Sequence, residues 1–160
     1  MKKNTLVKPI LLSMLLFYAS SIGFAQKLIL PAEVSAQLLK NLCEDAGIKV
    51  EETKDTYIKV KETFTIYLDI DKDKRFVYLN INYPLVEGTT ASQAMSLINK
   101  FNQEIILLRT YYNPDKNTIT YGYDFWIENG FTNRTFINVV KMFAKGISLS
   151  LDKDTGKLIK

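Results

Sequence analysis

Apolar and polar positions repeat with two different periods along this chain, and each change of period marks an element. Val34, Leu38, Leu42 and Ala46, flanked by Leu39 and Cys43, recur at helical spacing. Pro31 suits the first turn of that helix, where a missing N–H costs nothing, and Gly47 suits its end. Strand segments are expected at residues 48–51 and 57–61. Phe64, Ile66, Leu68 and Ile70 then alternate with Thr65, Tyr67 and Asp69, the period of a half-buried strand. The charged run 71–75 turns the chain into a further strand at 76–83, with Val77, Leu79 and Ile81 on one face and Phe76, Tyr78 and Asn80 on the other.

Thr90 with Gln93 three residues on forms a capping box, and the helix it opens places Ala94, Leu97, Ile98, Phe101 and Ile105 on one side. That helix is expected to end near Glu104, with a strand from about residue 107 to 113. Pro114, Asp115, Lys116 and Asn117 form a turn. Ile119, Tyr121, Tyr123, Phe125 and Ile127 alternate more regularly than any other stretch. Thr132 is an N-cap, with Phe131 placed to clasp Phe136 across it, and Phe136, Val139, Val140, Phe143 and Ile147 form the stripe of a last helix. The pattern predicts an α+β fold: a five-stranded antiparallel sheet packed with three helices, in the order α-β-β-β-α-β-β-α.

Residues 1–25 read as a secretory signal. Lys2, Lys3 and Lys8 precede an apolar stretch of about 15 residues, shorter than the roughly 20 that a membrane span needs. Small residues at Gly23 and Ala25 place cleavage after Ala25, and no cysteine follows to accept a lipid. The expected product is a periplasmic or secreted domain of residues 26–160 with no membrane span. Cleavage alters the charge: 21 basic residues less the three signal lysines leaves 18 against 17 acidic, a net of +1. Lysines alternate with acids, as at Lys72, Asp73 and Lys74, so the basic stripe needed by a nucleic-acid binder is missing.

Further chemistry is excluded by composition. The sequence has no histidine, which removes every Ser-His, Cys-His and His-metal arrangement, and one cysteine, which removes a disulfide framework. Asp69, Asp71 and Asp73 open like a calcium loop, but Lys74 and Asn80 stand where such a loop needs Gly and Glu. Asp154, Thr155 and Gly156 match an aspartic-protease signature without a second copy, and a turn accounts for them better; across a turn at 152–156, residues 148–151 and 157–159 could pair or fray. Asn133, Arg134 and Thr135 form a glycosylation sequon by pattern, although that Thr falls within a first helical turn. Cys43 is expected to be a buried small hydrophobe. Asn99, Asn102 and Glu104 are expected to fix the bend between helix and strand.

The residues around Ala36, Gln37, Leu38 and Leu39, those from Gly47 to Val50, the run from Ile98 to Glu104, the hairpin from Tyr111 to Tyr123 and the helix entry at Gly130, Phe131 and Thr132 resemble the YbjN family of proposed bacterial sensory-transduction regulators. The resemblance spans about residues 34–147. It implies a fold similar to that of type III secretion chaperones, often dimeric, and a protein-binding scaffold without catalytic residues. The signal segment departs from relatives that look cytoplasmic.

The expected function is therefore an exported, non-enzymatic protein-binding or chaperone-like module without cofactor or metal. Its partner would be another protein or a second copy in a homodimer. Tyr67, Tyr78 and Trp126 are the candidate partner-binding residues. If the alternating apolar set faces the helices, these three share the opposite face with Phe76, unless the second helix covers it. The rival readings are a small hydrolase using carboxylates or a Ser/Lys pair, and a binder of a small apolar ligand.

Overall fold

The structure, a computed structural model, describes residues 27–160; the expected signal segment and its cleavage site lie outside them. Strand β1 (Leu28–Ile29) leads through a 3-10 turn at Pro31–Glu33 to helix α1 (Ala36–Asp45). Pro31 therefore opens its own short turn rather than the helix. Glu33 accepts the Leu30 N–H at 2.8 Å, and Ser35 caps α1 by accepting from the Leu38 N–H at 3.2 Å. Val34 is buried, but in the link before the helix.

Four strands follow: β2 (Lys49–Thr53), β3 (Tyr57–Lys61), β4 (Thr65–Ile70) and β5 (Phe76–Pro84). Helix α2 (Ala91–Glu104) precedes β6 (Arg109–Asn113) and β7 (Thr118–Trp126), and β8 (Phe131–Thr132) runs into helix α3 (Asn133–Lys153). The main sheet is antiparallel with the order β2-β3-β4-β5-β7-β6. It has six strands, not five: the segments expected at 48–51 and 57–61 are separate strands, β2 and β3, which pair with each other at the edge of the sheet, so that four of its strands and not three precede α2. A bulge between Val50 and Glu52 shifts that register. β1 and β8 form a separate two-stranded sheet, too short to leave a periodic signal in the sequence.

Alternation then decides the layers. Ile58, Val60, Ile66, Leu68, Val77, Leu79, Ile119 and Tyr121 are all fully buried on one face. All three helices cover that face: Leu39 and Cys43 from α1, Phe101 from α2, and Phe136, Val140 and Ile147 from α3 join the same core. Phe101 stacks on Tyr121 with ring centroids 6.1 Å apart, which places α2 on the inner side of the sheet. Phe125, Phe131 and Phe136 form a mutual cluster at 5.3 to 6.3 Å, so the expected clasp of Phe131 on Phe136 is part of a three-ring contact.

Two connections depart from the expected boundaries. The strand after α2 begins at Arg109 rather than near residue 107. Asn102 makes that bend: its Oδ1 accepts from the Thr110 N–H at 2.8 Å and its Nδ2 donates to the Thr110 carbonyl at 3.0 Å. Asn99 and Asn102 are both exposed, and the amide bonds at the bend come from Asn102. Helix α3 continues through residues 148–151 to Lys153, and Ser150, buried within it, keeps a hydrogen-bond partner by donating back to the Gly146 carbonyl at 3.0 Å. The tail returns along Pro84 and Leu85. Ile159 bridges Leu85, and the buried Asp154 accepts the Ile159 N–H at 2.8 Å. The Asp-Thr-Gly signature is thus a structural clamp.

Candidate functional site

With every helix on one side, the other face of the sheet is bare among the described residues. Tyr57, Tyr67, Asp69, Phe76, Tyr78 and Asn80 point to it from β3, β4 and β5, and Arg109, Tyr111, Asp124 and Trp126 from β6 and β7. This is the face expected to hold Tyr67, Tyr78 and Trp126, and the possible cover by the second helix does not occur. The three residues lie there in separate pairs rather than as one cluster.

Tyr67 sits against Tyr57, with centroids 6.0 Å apart, and Lys59 Nζ lies 5.8 Å from the Tyr67 ring. Tyr57 donates to Glu52 at 3.2 Å; partial burial, then that carboxylate, hold its hydroxyl above the usual tyrosine range. Trp126 packs against its cross-strand partner Phe76 at 5.5 Å and is still 61% exposed. Tyr78 reaches across Gly122 to Tyr111, hydroxyl to hydroxyl at 3.2 Å, and burial followed by this bond pushes its ionisation up. The sequence pattern does not single out Tyr57 and Tyr111 as candidate binding residues. The alternation of residues 109–113 beside β7 is the signal that assigns Tyr111 and Arg109 to this face.

Beside Tyr78 lies a shallow, open depression of about 400 Å3 lined by Asp69, Asp71, Phe76, Tyr78, Arg109 and Asp124. Its acids are engaged. Asn80 donates to Asp69, Arg109 lies 3.1 Å from Asp124, and Asp71 takes the Arg75 Nε–H at 3.0 Å. Desolvation raises the Asp69 carboxyl, against the opposing pull of Asn80, while the Arg75 hydrogen bond lowers that of Asp71. No trio of His, Cys, Asp or Glu among the described residues is placed to hold a metal, and no helix among them is long and apolar enough to cross a membrane.

Burial removes Cys43 from thiol chemistry: the side chain is fully enclosed and its ionisation is pushed up to about 12. A partly open pocket between α3 and the sheet, lined by Leu107, Tyr123, Val139, Met142 and Phe143, holds only about 80 Å3. Ligand pockets for drug-sized molecules run from about 300 Å3 upward.

No protein-family model matches the chain, and comparison with curated proteins finds no match. A similar solved structure is that of YbjN from E. coli, a proposed transcription regulator. The two share 14% identity with a TM-score of 0.70, over 84% of this chain and 99% of YbjN. At that identity the likeness is one of architecture, and the chain has a YbjN-like fold.

Proposed function

We propose that the protein is an exported, non-enzymatic binding module that docks a protein partner, or a second copy, on the outer face of its sheet. The observation behind this reading is the one-sided architecture. Three helices cover one face, and the other holds six aromatic side chains with nothing described over them, including a Trp that is 61% exposed. Tyr and Trp anchors of this kind, with a polar tip and a large apolar body, dominate the energetics of protein interfaces. Opposed charges at Lys59, Arg109, Asp69 and Asp124 alternate over the same face, which suits a protein surface better than a phosphate backbone.

A photo-crosslinking residue at position 126 of the full chain tests this in the native envelope. The expected adduct forms there and is absent when the same residue stands at position 138 on α3. Equal labelling at both positions, or none at 126, overturns the reading. Cell fractionation with N-terminal sequencing tests export: the expected mature chain begins at Gln26, and a retained Met1 overturns it.

One observation favours the hydrolase alternative. Asp69 and Asp71 line a common depression, and their ionisations are pushed in opposite directions, as in acid–base pairs. The depression is open to water and each carboxylate already has a partner, so the arrangement suits an ion-pair network better. Turnover of a glycoside or ester panel that Asp69→Asn abolishes would establish the enzyme instead.

A further inference from the structure

A second surface, on the helix side, is built differently. The turn between α2 and β6 projects Ile106, which is 96% exposed, with Leu107 beside it at 42%. Met142 and Leu149 on α3 are 46% and 43% exposed. These four side chains line a groove of about 420 Å3 whose rim includes Lys145 and Lys153. Apolar side chains at a projecting turn, next to a helix whose exposed residues alternate Met142 and Leu149 with Lys141 and Lys145, make an amphipathic, basic surface.

Charge selects among the possible occupants. Lys145 and Lys153 line the groove against Glu104, Lys100 donates to the Lys153 carbonyl, and Lys141 stands one turn before Lys145 on α3, with Asp152 next to Lys153, in a molecule whose described residues otherwise nearly balance. Glu104 is already paired with Lys153, and among the described residues Lys141 and Lys145 have no acidic partner. Two copies meeting about this groove would bring both sets of lysines together. The apolar segment at residues 10–24 is preceded by Lys2, Lys3 and Lys8, which have the same sign. An anionic lipid surface meets both requirements, acyl chains for the aliphatic side chains and phosphates for the lysines. We propose that this end of the molecule docks reversibly on anionic lipid, with Ile106 and Leu107 entering the acyl boundary and Lys141 and Lys145 contacting the headgroups. This leaves the outer sheet face turned away from the bilayer and does not depend on what that face binds.

The test uses the full chain with Ile106→Cys bearing an environment-sensitive fluorophore; Cys43, being enclosed, stays unlabelled. Vesicles are phosphatidylcholine alone or an equimolar mixture with phosphatidylglycerol, each with and without brominated acyl chains. The expected result is a blue shift and bromine quenching of the label on the mixed vesicles and not on phosphatidylcholine. Lys141→Glu with Lys145→Glu should weaken that partition by about tenfold or more. Trp126, the single tryptophan, reports the opposite face and should stay unquenched. Four outcomes overturn the proposal. No response on mixed vesicles denies lipid docking. An equal response on phosphatidylcholine, or one indifferent to the lysine changes, assigns binding to residues 10–24. A label shift that grows with protein concentration without vesicles indicates a second copy. Quenching of Trp126 turns the sheet face to the bilayer instead.

Discussion

Tyr78 occupies the space that a side chain at Gly122 would need. A Cβ at position 122 would stand 2.9 Å from Tyr78 Cε2 and 3.0 Å from Cζ, with the hydroxyl nearer still. Two strands therefore cooperate in the aromatic face: β7 gives up a side chain so that a ring from β5 can cross it and meet Tyr111 on β6. Gly122→Ala is expected to cost about 1–3 kcal/mol, the range for overpacking. Because the cost arises from the ring, Tyr78→Ala combined with Gly122→Ala should be more stable than the sum of the single changes implies. A double-mutant cycle by denaturant titration checks this, and additive values would show that the ring does not cause the clash.

Asn102→Ala should destabilise the fold by about 2–3 kcal/mol, since it strips partners from both backbone groups of the buried Thr110. Asn102→Asp keeps the acceptor for the Thr110 N–H and places a carboxylate against the Thr110 carbonyl, so it should rescue little. Thermal unfolding of the pair ranks them. A loss below about 0.5 kcal/mol for Ala would show that the bend holds without the amide.

The tail depends on Asp154. Asp154→Ala should release residues 157–160 from Leu85 at a cost of about 1.5–3 kcal/mol, that of a single hydrogen bond to a charged acceptor. Hydrogen exchange should accelerate at the Ile159 amide, which loses the Asp154 carboxylate, and at those of Val86 and Lys160, which donate to the Leu158 and Pro84 carbonyls, and stay unchanged in β7. Uniform acceleration would mean that the clamp supports the whole core.

Neighbouring carboxylates should give opposite pH dependences. The folded state lowers the Asp71 ionisation, so its stabilisation is present above the unfolded value and is lost as pH falls through the lowered one. Asp71→Asn should therefore be less stable than the parent at neutral pH and equal to it in acid. For Asp69 the folded ionisation is raised, so its ionised form opposes folding above that value and the penalty disappears as pH falls through it. Asp69→Asn, which can still accept from Asn80, should gain at neutral pH and lose the advantage in acid. Urea titrations across the acid range read both signs.

The parts of this fold that were legible in the sequence are those with a repeating pattern or a paired cap. The alternation from Ile119 to Phe125 marks β7, and Thr90 with Gln93 marks the start of α2 through bonds that do form, at 2.9 and 3.3 Å. Asp154 reads as part of a turn because its motif has no second copy in the chain. What escaped was set by tertiary contact. Two-residue strands such as β1 have no period, and the strand expected at 48–51 takes its place as a sixth, edge strand only through its pairing with β3. Ser148 and Ser150 look like a break in a stripe until Ser150 bonds back to Gly146. Likewise the choice of which face the helices cover required knowing that Phe101 meets Tyr121.

The bulge in β2 reaches beyond its own strand. An open sheet ends in rows of unpaired amides and carbonyls that invite another chain to add itself, the route by which flat layers grow into fibres. Here the margin is broken between Val50 and Glu52 and bears Lys49, Glu51 and Glu52, so an incoming strand would meet a skipped rung and a line of charges. The molecule can expose a broad aromatic plane without lengthening its own sheet from that side, and recognition there is left to side chains.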